Sequence, residues 1–228
     1  LEWQANPRSP EGSLELTANA IILAIPAPQA VELLLPLVES GLSLEFLHKA
    51  RSVQFDPCIT VTAGYSPSRW SELHQRNPPW NAVEFPDDAV LNWVGFDSSK
   101  RAKSEQPFFI INSSAELAQN YLDATDLQPA GDRILARAAD CLFPWLDAPE
   151  FVQIHRWRYA LVRQGWDKDT LATAEPLPLV CCGDWCGKHD GIEAALRSGL
   201  AASSVVNAQL QQRPIPPIGE VLEVKKGN

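Results

Sequence analysis

This 228-residue chain contains no methionine. Leu1 is therefore not its own initiator, and the sequence reads as a C-terminal fragment or a cleaved product. A surplus of positive charge is also missing: 19 Lys and Arg stand against 28 Asp and Glu, a net charge of −9. With no basic cluster to compensate locally, this balance argues against a nucleic-acid footprint. No apolar run reaches the length of a membrane span, and no signal peptide is visible. The five cysteines are an odd number, and three of them crowd between 181 and 186. That is not the paired framework of a secreted domain, so a reducing cytoplasm is the expected compartment. Internal repeats and low-complexity tracts are absent as well.

The remaining composition is that of a globular protein, 45% hydrophobic and 21% charged. The length suffices for one large domain or two modest ones with a sizeable core.

The most informative stretch is Pro176–Asn207, PLPLVCCGDWCGKHDGIEAALRSGLAASSVVN. Leu179–Cys182 is a short apolar run bounded by Pro178 and Gly183, which suits a strand covered on both faces. Gly183 lets the chain leave that strand with a ligand close to its backbone. Asp184 puts an acceptor at the carboxyl end of the strand, where open α/β sheets bind ligands. Gly191 then opens a helix to about Leu210, whose unpaired first N–H groups suit an electron-rich or anionic atom. Ala194, Ser198 and Ala202 fall on one stripe and permit close approach to neighbours. Strand, glycine, aspartate, loop and helix also recur in α/β proteins without a ligand.

Upstream, Leu1–Gln4 and Ser13–Ala18 about a turn at Asn6–Gly12 read as a strand or hairpin. Ala20–Ile25 reads as a buried strand ended by Pro26-Ala27-Pro28. A helix follows from Pro28 to about Glu39, kinked or broken at Pro36 and stopped by Gly41. Ser43 is placed to cap a second helix running to about Ala50. Val53–Tyr65 is β-rich, and its proline suggests an edge or a bulge. Trp70–Trp80 gives no clear signal. Leu91–Asp97 and Pro107–Asn112 are expected as strands, Ser114–Leu122 and Asp132–Leu142 as amphipathic helices. In the strand Phe151–Leu161, His155, Trp157 and Tyr159 share one face and Arg156 and Arg158 the other. The tail after Gln212 is Pro-rich, then charged. Two α/β-type strands thus bracket a β-rich block: the chain leaves one domain, builds a second and returns.

Cys181, Cys182, Cys186 and His189 raise the question of zinc. A structural site needs four ligands, usually from spaced pairs, and adjacent Cys181 and Cys182 point to opposite strand faces. Cys58 and Cys141 offer no second pair, so buried apolar cysteines and no metal are expected.

Several segments, in order, carry a resemblance. AIILAIPAPQAVELL (Ala20–Leu34), FDSSKR (Phe96–Arg101) with FFIINSS, HRWRYA (His155–Ala160) and CCGDWCGKHDGIEAALRSGLAA (Cys181–Ala202) are similar to parts of FAD-dependent oxidoreductases of the amine-oxidase superfamily. Within that superfamily the chain resembles the C-terminal portion of the renalase-like proteins. The resemblance implies an α/β plus α+β fold, a partial Rossmann-like FAD-binding domain interleaved with a mixed or antiparallel β-sheet substrate domain. It places 1–27 and 173–212 in the FAD-binding domain, 28–172 in the substrate domain and 213–228 in a tail. It sets Gly183 and Asp184 at the ribityl and phosphate side of FAD. Gly191, Ile192 and Glu193 would start the helix whose amides face the flavin and stabilise negative charge on its reduced form.

Further expectations follow from the same resemblance. Trp157, Tyr159 and Arg158 are candidates for the wall of a substrate cavity, Trp157 and Tyr159 reading equally as a sheet face packed into a core. One of Arg156 and Arg158 could meet an anionic substrate group, but solvated strand residues that balance an acidic surface are the preferred reading for each. His155 carries no required acid–base role if hydride passes directly to flavin, and Lys100 and Arg101 carry none. The implied activity is hydride transfer from a small reduced substrate, dihydronicotinamide-type or amine, to flavin and then to O2. The expected partners are that small molecule and an N-terminal FAD-binding segment. One departure stands out: the Gly-rich βαβ unit that cradles the FAD pyrophosphate has no counterpart, since no GxGxxG occurs in the sequence. This chain alone is therefore expected to hold FAD weakly or not at all, and to be inactive. The alternative reading is a non-catalytic binding or scaffold module with the architecture of a flavoprotein's substrate domain.

Overall fold

The computed structural model describes residues 2–4, 15–76 and 80–210. In chain order, β1 (Glu2–Gln4) and β2 (Glu15–Thr17) precede β3 (Ile21–Leu23), α1 (Ala27–Leu34) and α2 (Leu44–Arg51). Next come β4 (Gln54–Gly64), α3 (Arg69–Arg76), β5 (Ala82–Glu84), β6 (Leu91–Phe96) and β7 (Phe108–Ser113). Then follow α4 (Ala115–Asn120), α5 (Gln128–Cys141), the long β8 (Phe151–Gln164), β9 (Leu171–Thr173), β10 (Leu179–Cys181) and α6 (Gly191–Gln209). The chain divides into two compact units, residues 1–54 with 162–228, and residues 55–161. The resemblance implies crossings at 28 and 173 instead. The difference arises because α1 packs on α2 and α2 on β9, which holds both helices in the first unit.

In the first unit, β1 and β2 pair antiparallel as expected, while the turn between them falls outside the described residues. A three-stranded sheet has the order β3-β10-β9, with β3 parallel and β9 antiparallel to β10. β10 is central and its residues are buried, which explains the unbroken run Leu179-Val180-Cys181. β3 was expected to be buried, yet Ile22 is 44% exposed. β3 lies at the edge of the described sheet, whereas β10 is flanked by a strand on either side. α1 ends at Leu34 and a 3₁₀ turn over Leu35–Val38 takes its place. Pro36 forces that change, because it cannot donate the next helical hydrogen bond. Ser43 does precede α2, but its side chain makes no capping bond.

The second unit is a five-stranded sheet, β5-β6-β7-β4-β8, antiparallel at the β5–β6, β6–β7 and β7–β4 pairs. Alternation sorts its side chains between two faces. Ile59, Val61 and Ala63 of β4, Phe109 and Ile111 of β7, and Leu91 and Val94 of β6 form a buried core with Ile134, Leu135 and Ala138 of α5. Each large aliphatic or aromatic side chain so buried contributes about 1.5–3 kcal/mol. Tyr65 completes that core with its hydroxyl donating to the Leu146 carbonyl at 2.8 Å.

Three elements differ from the sequence reading. β4, whose proline suggested an edge or a bulge, is not at the edge but lies between β7 and β8. Pro57 is tolerated there because the register with β7 begins only at Thr60. α5 begins at Gln128, four residues before the expected Asp132, with Pro129 in its first turn. A proline there removes a donor that would have had no helical partner. α3 gave no clear signal, since a short segment with Leu73 alone buried among its described side chains shows too little periodicity to read.

Candidate functional site

The site in the first unit is built on the exit from β10. The Cys182 N–H donates to the Leu23 carbonyl at 3.0 Å, extending the parallel β3–β10 pairing by one residue. Gly183 then turns at φ 156°, and its N–H donates to Ser198 Oγ at 3.0 Å. A Cβ on Gly183 would stand 2.7 Å from Trp185 Nε1, so only glycine lets the indole lie against this turn. Trp185 is 1% exposed and its Nε1 donates to the Ile25 carbonyl at 3.0 Å, beyond the end of β3. Its own carbonyl accepts from the Trp166 N–H at 2.7 Å, and the Gly187 N–H returns to the Trp166 carbonyl at 2.9 Å. The loop is thus fastened to its neighbours by backbone and indole bonds.

At the far end of the loop Gly191 adopts φ 57°, with no atom within 4 Å of the place a Cβ would occupy. α6 starts there. Asp190 occupies its N-cap position without making a side-chain capping bond. Ala194, Ser198 and Ala202 are its buried residues, the stripe read from the sequence. Ser198 is 1% exposed and serves as a buried acceptor under the loop. Ser198→Ala would leave the Gly183 N–H without its acceptor and is expected to cost about 1–3 kcal/mol. Urea unfolding at neutral pH measures this as a lowered midpoint with an unchanged slope.

These elements surround a hollow of about 450 Å³ between the Ala24–Pro26 segment, the Cys182–Trp185 turn and the first turns of α6. Four residues singled out in the sequence, Gly183, Asp184, Gly191 and Ile192, line it. Ile192 is 90% exposed. Glu193 does not line it; its carboxylate accepts from Arg197 Nε at 2.8 Å and lies 3.7 Å from His189 Nδ1. Arg197 first, then His189, hold its pKa below the usual carboxylate range. What Glu193 offers toward the hollow's end of the helix is its first-turn N–H. Burial pushes the Asp184 carboxyl up, against a smaller pull from the backbone N–H groups of Asp184 and Trp185.

The nearby cysteines are free and buried. Burial pushes the thiols of Cys181 and Cys186 up to about 12, which keeps them protonated and apolar at neutral pH. Among the described residues no group of three His, Cys, Asp or Glu converges as metal ligands. No described helix is long and apolar enough to cross a membrane.

In the second unit, Trp157 and Tyr159 line a separate hollow of about 260 Å³. Arg158 is not brought to it. Its guanidinium donates to the Leu122 carbonyl at 3.0 Å and to Asp123 Oδ1 at 2.6 Å. Arg156 is likewise spent on the Tyr121 and Ala124 carbonyls at 2.9 and 2.7 Å. The expected alternation along β8 thus divides the trio. His155 neighbours Trp157, ring centroids 4.2 Å apart. Lys100 and Arg101 both pair with Asp97. The hollow also takes in Thr60, Asn92 and Asn112, which the sequence reading passed over. The usable signal was the period-two alternation in ITVT and FIINS, which sends Thr60 and Asn112 away from the core.

No protein-family model and no curated protein matches the chain. Solved structures do. Wild-type putrescine oxidase bound to putrescine superposes with a TM-score of 0.55 at 18% identity, over 86% of this chain and 44% of that one. The chain carries part of an oxidase fold. A candidate protoporphyrinogen oxidase from Exiguobacterium sp. 255-15 gives 0.57 at 13% identity, over 92% and 44%. Cyclohexylamine oxidase from Brevibacterium oxydans IH-35A gives 0.56 at 14%, over 88% and 45%. The chain therefore spans less than half the length of each of these oxidases.

Proposed function

We propose that this chain is the C-terminal part of a renalase-like, FAD-dependent oxidoreductase. The reaction would move a hydride from a small reduced substrate, dihydronicotinamide-type or amine, to flavin and onward to O2. The observation that carries the reading is the convergence of Gly183, Asp184, Gly191 and Ile192 on one hollow at the strand exit and helix start. In this reading 1–27 and 173–212 belong to the FAD-binding domain, a further FAD-binding segment is the partner, and the cytoplasm is the compartment.

The residues present fit such a cofactor. Gly191 leaves its helix start open to close approach. Asp190 makes no capping bond that would compete for the first-turn donors. Asp184 supplies a half-buried acceptor suited to cofactor hydroxyl groups. FAD, when bound, supplies the hydride-accepting ring and the reactivity toward O2. The chain's own part is to orient it: Gly183 brings backbone close, Asp184 accepts, and the Gly191–Glu193 amides present the positive end of α6. The buried Trp185 closes one side to water.

The test reads the frame upstream of Leu1 for a strand followed by GxGxxG. It then takes the visible spectrum of the complete product, as purified and after adding FAD. Flavin bands that survive desalting are the expected result. A complete product that stays colourless after reconstitution overturns the reading and favours the non-catalytic module.

A further inference from the structure

The open face of the five-stranded sheet carries a short relay of hydrogen bonds. Trp157 Nε1 donates to Thr60 Oγ1 at 3.1 Å, and Thr60 Oγ1 donates to Asn112 Oδ1 at 2.8 Å. The direction is the one the structure shows, with the Thr60 hydroxyl giving its proton to the Asn112 carbonyl oxygen. An indole N–H can only donate, so the Thr60 hydroxyl accepts from it and keeps its own proton to give. That proton engages the Asn112 carbonyl oxygen and leaves the amide N–H groups of Asn112 as the polar hydrogens it can offer. Asn112 lines both the 260 Å³ hollow beside Trp157 and an adjoining one of about 450 Å³. Asn92 lines both as well.

The charge of the first hollow is as informative as its hydrogen bonds. Around Trp157 its lining is Cys58, Thr60, Asn92, Asn112, Tyr159 and the Ala160–Leu161 segment, none of which carries a charge. Burial pushes the Cys58 thiol up, which keeps it neutral. Glu84 lines the adjoining hollow, and the His155 ring stands beside Trp157. An ammonium seated here would lose water without gaining a carboxylate. Attraction to an exposed indole face returns only a few-fold in affinity.

We propose that Asn112 is a specificity-determining residue whose donors are fixed by the Trp157–Thr60 relay, so that the hollow takes an uncharged planar ring bearing a carbonyl. The ring lies on Trp157, which is 52% exposed, and its carbonyl oxygen accepts from Asn112. As a substrate site this rests on the oxidoreductase reading above, whereas binding itself requires no flavin.

Benzamide and benzylamine are the probes, alike in ring and opposite in polar group. Each is titrated into the isotope-labelled chain, following the Trp157 indole and Asn112 side-chain resonances by NMR. Those resonances are identified from Trp157→Phe and Asn112→Asp. Benzamide is expected to shift both signals saturably and to bind at least tenfold tighter than benzylamine. Asn112→Asp keeps the acceptor for Thr60 but replaces the donors by a carboxylate, and is expected to erase that preference. Thr60→Val, which frees the amide to turn over, is expected to reduce it. No saturable benzamide binding, equal or tighter benzylamine binding, or an unchanged preference in Asn112→Asp overturns the proposal. A colourless complete protein would overturn the flavin reading and leave this result standing.

Discussion

Trp185→Ala is expected to destabilise the unit formed by residues 1–54 and 162–228 by about 4 kcal/mol. The side chain is 1% exposed, so its removal leaves a cavity in addition to the lost transfer free energy. It also frees the Ile25 carbonyl, which accepts from Nε1 at 3.0 Å. That bond ties the loop after β10 to the segment after β3, and both border the candidate cofactor hollow. The same substitution is therefore expected to loosen the hollow. Trp185→Phe separates the two effects: most of the packing stays and the hydrogen bond goes, for an expected loss of about 1–2 kcal/mol. Urea unfolding by circular dichroism measures both variants. A loss under about 1 kcal/mol for the alanine variant would mean that the indole does not fasten the loop.

Much of this unit was legible in the sequence because its determinants are local. The stripe Ala194, Ser198, Ala202 recurs at helical spacing, and those are the residues α6 buries. Gly183 and Gly191 mark the two ends of the loop, and both take left-handed or near-limiting φ values that penalise a side chain. What stayed hidden depends on pairing between distant segments. Thr60 and Asn112 are 52 residues apart and meet only because β4 and β7 pair in the register Thr60↔Asn112. Nothing in a single strand announces its partner or its register. Arg158 shows the converse. Alternation correctly separates it from Trp157, but only the fold reveals that Asp123 and the Leu122 carbonyl take up its charge. The breaks between the compact units differ from the 28 and 173 of the sequence for the same reason, since the docking of α2 on β9 joins residues near 50 to residues near 171.

Asp184→Asn is expected to act in opposite directions on stability and on cofactor binding. Burial raises the Asp184 pKa in the folded chain, so folding favours the protonated carboxyl. At a pH below the unfolded value, about 4, both states are protonated and the residue costs nothing. As pH rises through that value toward the shifted one, the unfolded chain ionises first and stability is lost. Asparagine does not titrate. Asp184→Asn should therefore match the parent below about pH 4 and exceed it in urea midpoint at neutral pH. Burial is partial, so the gain is a fraction of what a fully enclosed carboxylate would give. Binding runs the other way. An ionised carboxylate accepts hydrogen bonds worth about 1.5–3 kcal/mol, so losing one should weaken FAD by tenfold or more in the complete protein. Asp184→Ala should lower FAD occupancy as well. A variant more stable at neutral pH yet poorer in flavin is the signature of a carboxylate kept for a ligand at the expense of the fold. Equal stability across pH with unchanged flavin occupancy would make Asp184 an ordinary loop residue and remove it from the site.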